Sequence, residues 1–178
     1  MRNGGVTAAY SHAVATIRRY RPEDVEQCRS LWADLTDWHR RLYADDSIGG
    51  TDPGSGFDAH LAELGPERIF VAELDGRVVG RAGMVVSGTK FELEPLSVRA
   101  GCRGLGVGRE LAETVLEAAR AEGARQVVVR PTGRNAEAIR VFHTLGFDIV
   151  ARVELVHDLT GDERWRDGED YAGRRFCV

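Results

Sequence analysis

Glu92-Leu93-Glu94-Pro95-Leu96-Ser97-Val98-Arg99-Ala100-Gly101-Cys102-Arg103-Gly104-Leu105-Gly106-Val107-Gly108-Arg109 divides into an extended run, a glycine turn and the start of a helix. Gly104, Gly106 and Gly108 let the backbone turn without a Cβ clash, so successive N–H groups can converge on one point. Over Val107 to about Ala121, Val107, Leu111, Val115 and Ala118 recur at one-face spacing, with Leu116 and Ala119 widening the stripe. The start of that helix adds unpaired N–H donors and a partial positive charge, and Arg99, Arg103 and Arg109 add full charges. The stretch predicts an anion site, with phosphate as the guest.

Spacing narrows which phosphate. No G-x-x-x-x-G-K-[ST] occurs, and G-x-G-x-G differs from the G-x-G-x-x-G of dinucleotide folds, whose loop also lies early in its domain rather than after about a hundred residues. Downstream, Gln126-Val127-Val128-Val129-Arg130 is a short apolar run between Gly123 and Pro131, which predicts a strand buried on both faces. With Leu93–Val98 and the intervening helix it makes a β-α-β unit, so the two strands are expected to be parallel. Asn135 is placed to cap a further helix bearing Ile139, Phe142 and Leu145 and ending at Gly146, after which Phe147–Val156 alternates as a strand. Arg174–Val178 predicts a last short strand that closes the sheet.

Upstream, Val14–Tyr20 predicts a first strand. Arg21-Pro22 then opens a helix carrying Val25, Cys28, Trp32, Leu35 and Leu42 at helical spacing, with Leu31 and Trp38 beside them. Ala44–Gly56 is rich in breakers and predicts a loop, followed by a short helix over Phe57–Leu64. Ile69–Leu74, the Asp75-Gly76 turn and Arg77–Val86 read as a hairpin, and Thr89–Val98 continues the meander. Glu94-Pro95 marks a bulge, because proline has no N–H to give a neighbouring strand.

The 178 residues suit one domain, 14–178, behind a flexible leader at 1–13. With 43% hydrophobic and 29% charged residues, and no apolar run long enough to cross a bilayer, the composition is that of an ordinary globular chain without a membrane partner. A net charge of −4 argues against broad nucleic-acid binding. Cys28, Cys102 and Cys177 are scattered, and His12, His39, His60, His143 and His157 show no metal-ligand spacing, so reduced thiols, a cytoplasmic location and no structural metal are expected.

Arg103-Gly104-Leu105-Gly106-Val107-Gly108 resembles the pyrophosphate-binding signature of the GNAT superfamily of N-acetyltransferases, an Arg or Gln followed by x-x-Gly-x-Gly or Ala. Asn135-Ala136 through Phe142 to Gly146-Phe147 resembles the second hallmark of that superfamily, in the right order. The resemblance runs from about Ala15 to Phe147. It implies an α/β (α+β) fold with a mixed, splayed central β-sheet, flanking helices and a β-α-β acetyl-CoA-binding core. Acetyl-CoA would be the co-substrate, its pantetheine meeting the backbone of Leu96, Ser97 and Val98. Arg103, Gly104, Leu105, Gly106, Val107, Gly108 and Arg109 would hold the pyrophosphate, and Asn135 and Phe142 would complete the site.

The implied reaction is direct acetyl transfer to a primary amine of a small molecule or a protein, within a ternary complex. Glu94, with Glu92 as second choice, is the expected base, because relatives often place a Glu on this strand. Many relatives carry a Tyr that can protonate the leaving thiolate where this chain has Phe142; His143, Cys102 or Tyr43 are the available substitutes. The missing acid also favours an alternative, a non-catalytic acyl-CoA-binding or sensor module. Asp37, Asp45, Asp46 and Asp52, with Trp38 and Tyr43 between them, suggest a cationic acceptor. The oligomeric state stays open, a homodimer among the options.

Overall fold

The computed structural model describes residues 15–157, 159, 167–171 and 173–177; the expected leader lies outside them. The main sheet holds five strands in chain order: β1 (Thr16–Arg19), β2 (Ile69–Leu74), β3 (Arg77–Ser87), β4 (Lys90–Val98) and β5 (Gln126–Val128). β1 to β4 are antiparallel and β5 lies parallel to β4, which is the expected mixed sheet. The Asp75-Gly76 turn joins β2 to β3 with both residues at positive φ, 50° and 73°, as a two-residue hairpin with the right twist requires.

The sheet is covered on both faces. Val78 and Val79 are successive residues of β3 and enter different clusters, as strand alternation demands. On one face α3 (Val107–Ala121) sets Leu111, Val115 and Ala119 against Val79, Ala82, Met84 and Leu93. Leu111 and Val115 are wholly buried, and each contributes roughly 1.5–3 kcal/mol. On the other, α1 (Val25–Tyr43) and α2 (Ser55–Leu64) set Cys28, Leu31 and Phe57 against Ile69, Val71 and Val78. Arg18 fastens the start of the chain to this layer, donating to both oxygens of buried Asp24 at 2.7 and 2.8 Å and to Glu73 at 2.7 Å. Burial is the largest single influence and works to raise the Asp24 carboxyl, but the bonds from Arg18 and the Arg21 N–H, with the charges of both arginines, together outweigh it and hold the group below its ordinary range.

The bulge falls where the proline places it. Ala82 pairs with Leu96 and Met84 with Leu93, so Glu94 and Pro95 together face the single residue Gly83. Beyond the bulge β4 keeps β3 as a neighbour, but its pairing with β5 stops at Glu92↔Val128. The sheet is therefore splayed from Glu92 onward.

The C-terminal expectations need correction. β5 is three residues long and half-exposed rather than buried on both faces, because past Val128 the chain turns away to wall the gap. In α4 (Ala136–Thr144) Phe142, and just after it Leu145, pack on the core, but Ile139 is exposed. Residues 147–157 form no strand; Ile149, Val150, Leu155 and Val156 are exposed, since alternation stabilises a strand only against a sheet face. β7 (Arg174–Cys177) does not close the main sheet but pairs with β6 (Asp167–Tyr171) in a separate two-stranded ribbon.

Candidate active site

Where β4 and β5 part, a cleft of about 1050 Å³ opens. Its walls are β4 from Glu92 to Val98, the chain from Val129 to Thr132, the glycine loop, one side of α4 and the inner face of α1. At one end stands the loop. Gly104 and Gly106 have φ of 77° and 87°, a conformation only glycine adopts cheaply, and Gly106 is the residue from which α3 starts. Among the described residues no side chain caps that N-terminus, and Gly106 and Gly108, which carry its first N–H groups and their partial positive charge, line the cleft.

Arg103, Gly104, Gly106, Gly108 and Arg109 line the cleft, while Leu105 and Val107 do not. The Val107 side chain is buried in the core, which anchors the loop from behind, and Leu105 is half-exposed. Arg103 donates through Nε to the Val98 carbonyl at 3.3 Å, and exposed Arg109 reaches Glu113 at 3.5 Å, one helical turn on. Arg99 departs from expectation. Instead of crowding the glycine turn it points to α1, donating to the Val78 carbonyl at 3.2 Å and to Asp34 at 3.2 Å.

Leu96, Ser97 and Val98 line the cleft, and their free backbone edge is the one that β5 abandons. Asn135 caps α4, its Oδ1 accepting from the Ala138 N–H at 2.9 Å. Phe142, also in the wall, stacks edge-on against Phe147 with ring centroids 5.7 Å apart. Of the substitute acids, Cys102 lines the cleft, its thiol pushed up by burial; His143 and Tyr43 lie outside it.

The two carboxylates of β4 differ. Glu92 is buried and its Oε2 is ion-paired to Arg130, while Oε1 has no hydrogen-bond partner among the described residues. Glu94, on the bulge, is exposed within the cleft and makes no side-chain hydrogen bond or ion pair among the described residues. The acidic frame expected around the acceptor forms only in part. Asp37 reaches the cleft but pairs with Arg40 at 3.1 Å, Asp45 accepts from Ser47, and Asp52 pairs with Arg29, which also holds Asp58. Asp46 is exposed and outside the cleft walls.

Two features escaped the sequence reading, and a third, His39 on α1, reads in sequence as packed or solvent-facing rather than part of the site. Arg130 had no signal beyond being the residue before Pro131. His39 lines the cleft half-buried, which lowers its pKa and favours the neutral imidazole. Under α1 and α2, His60, Arg81 and Trp32 form a polar and aromatic group, from positions 60, 81 and 32, that no local pattern joins.

A parted parallel strand pair with a glycine loop and helix N-terminus at one end of the gap is the architecture of a protein that takes a phosphate-bearing, extended ligand through the sheet. Residues 28–147 match the model of the acetyltransferase (GNAT) family, and the chain belongs to that family. It is 33% identical over 126 residues to streptothricin acetyltransferase of Streptomyces lavendulae, covering 69% of this chain and 64% of that one. It is 31% identical over 104 residues to L-methionine sulfoximine/L-methionine sulfone acetyltransferase of Salmonella typhimurium strain LT2, covering 56% and 60%. The chain thus spans less than two thirds of the length of these relatives. Among solved structures, an aminoglycoside N-acetyltransferase AAC(6')-Iy in complex with CoA shares the fold with a TM-score of 0.62 at 21% identity, over 84% of this chain and 98% of that one. Ard1 from Thermoplasma volcanium matches with a TM-score of 0.58 at 25% identity, over 77% and 84%.

Proposed function

We propose that the protein moves the acetyl group of acetyl-CoA to a primary amine by direct attack in a ternary complex. The observation that carries this reading is the gap between β4 and β5, with main-chain donors at one end and an unengaged carboxylate, Glu94, in its wall. Acetyl-CoA fits the residues present. The glycine loop offers its N–H groups, with Arg103 and Arg109, to the pyrophosphate, and the edge of Leu96–Val98 can pair with the amides of pantetheine. The co-substrate supplies an acyl thioester.

Glu94 is the base on this reading. Glu92 has an oxygen committed to Arg130, which makes it the group that fixes the strand wall, whereas both Glu94 oxygens are open to the amine or to a water beside it. The amine nitrogen attacks the thioester carbonyl, the C–N bond forms, Glu94 takes the amine proton, and the C–S bond breaks as CoA leaves as thiolate. With Phe142 offering no proton, the thiolate is protonated by Cys102 or by solvent. A thiol pKa of about 8.5 makes it a tolerable leaving group without help. The acceptor is a small molecule or a protein; the names of the two acetyltransferase relatives support a small one. A cytoplasmic location and a homodimer are compatible with this reading.

Phe142 favours one rival, a module that binds acyl-CoA without turnover. Incubating the protein with acetyl-CoA and a panel of amines, and reading CoA release with a thiol reagent, separates the two. Amine-dependent thiol release is expected. Tight acetyl-CoA binding with no release for any amine would replace the enzyme by the binding module.

A further inference from the structure

Arg81 is the anomaly of the interior. It is fully buried on β3, and among the described residues Nε, Nη1 and Nη2 all lack a hydrogen-bond partner. Its guanidinium lies over the rings of Trp32, at 4.4 Å, and Phe57, at 5.5 Å. Ring faces attract a cation but accept its N–H groups only weakly, so the five donors keep most of their hydrogen-bonding capacity. An unpaired buried charge costs several kcal/mol, and replacing it by an apolar side chain of similar size is commonly neutral or favourable.

Among the described residues no carboxylate is paired with it. Burial lowers Arg81 to about 10, leaving it charged at neutral pH. The acidic group whose field reaches it is the Cys28 thiol, pushed up by burial to about 12 and therefore protonated. His60, lowered to about 4 by burial and then by Arg81, is neutral. On the sheet Arg81 is the direct cross-strand partner of Ser97, so the two side chains share a face. Ser97 lines the cleft, and its hydroxyl is likewise buried without a partner. A small, polar residue thus stands between the guanidinium's strand and the cleft.

We propose that Arg81, with the Ser97 hydroxyl, receives a carboxylate carried by the acceptor, so that the substrate is an amino-acid-like amine. This deepens the acetyl-transfer reading and rests on it. The guanidinium leaves its place between the rings and turns past Ser97 to meet the carboxylate through two N–H bonds. Adjacent strands are about 4.8 Å apart, so an anion near Arg81 and an amine against the β4 edge belong on one small molecule, a few bonds from each other.

The test compares L-amino acids with their amides and methyl esters as acceptors for wild type, Arg81→Gln and Arg81→Met. Free acids are expected to exceed the masked forms by about 10–100-fold in kcat/KM in wild type, and that ratio is expected to collapse towards one in both variants. Acetyl-CoA affinity should be unchanged. Arg81→Met should melt no lower than wild type, which separates recognition from folding. A second arm needs no turnover: N-acetyl-amino acids, with CoA present, should raise the melting temperature of wild type but not of Arg81→Met, and N-acetyl amides should do neither. Masked acceptors that work as well as free acids, or variants that slow every acceptor equally, overturn the proposal and leave acetyl transfer standing. Selective stabilisation by N-acetyl acids without turnover of any amine sustains the carboxylate site and overturns acetyl transfer instead.

Discussion

At the glycine-loop end of the cleft, Gly104, Gly106 and Gly108 fall within one short loop of the chain and offer main-chain N–H groups. At the far end, Glu94 and Ser97 line the cleft from β4 with side chains, and Trp32, His60 and Arg81, from α1, α2 and β3, lie outside the cleft walls. The first end depends on backbone conformation at a few successive residues, so a local pattern specifies it. The second depends on which helix covers which strand, and its residues can change without disturbing the backbone. Within one fold, the loop end is suited to the part of the reaction that stays constant and the side-chain end to the part that varies.

The sharpest division between the ends is chemical. Glu94→Gln should lower kcat by about 10²–10⁴-fold with acetyl-CoA affinity unchanged, measured by steady-state CoA release and equilibrium titration. A larger loss in His39→Gln than in Glu94→Gln would move the base from the bulge to α1. Gly106→Val should do the reverse. A β-branched residue at φ 87° costs about 1–3 kcal/mol and puts methyl groups in the cleft, so acetyl-CoA should bind about 10–100-fold more weakly. Unchanged affinity in a folded variant would remove the loop from the site.

Gly83→Ala probes the joint between sheet and acceptor end. An added Cβ would lie 2.2 Å from the Glu94 carbonyl oxygen and 2.5 Å from His60 Nε2, and the first of these is backbone that cannot swing away. The bulge must shift, with a destabilisation of about 1–3 kcal/mol and a fall in kcat larger than any change in acetyl-CoA affinity. Equal losses at both ends would mean that the two regions are not separable.

The smallest effect concerns His60. Burial lowers its pKa from the ordinary 6.5 to about 4, so the unfolded chain binds the proton first. Its stability contribution is complete above about pH 6.5 and declines as pH falls from there towards 4. Melting temperatures of wild type should fall more steeply across that window than those of His60→Gln. Parallel curves would show that the imidazole is already solvated and the interior beneath α2 open.

Residues 92–109 by themselves determined a bulged strand, a glycine turn and the helix after it, while the splay of the sheet came from the family resemblance. Alternation set β2 to β4, a stripe of Val107, Leu111 and Val115 set α3, Asn135 set the cap of α4, and Pro95 set the bulge, because each signal acts over a few residues through sterics or a missing N–H. What only the tertiary structure decided is where the long side chains go. Arg99 sits beside the glycine turn in sequence yet turns to Asp34, Arg130 closes on Glu92 from 38 positions away, and Asp45 is held by Ser47 and Asp52 by Arg29 of α1 instead of facing the cleft. The alternation of 147–156 found no sheet face to bury it, and Arg81, patterned as one more residue of a strand, became a buried guanidinium under two aromatic rings. Backbone geometry is set by near neighbours along the chain, whereas the partner of a charge is set by whatever packing brings within about 4 Å of it.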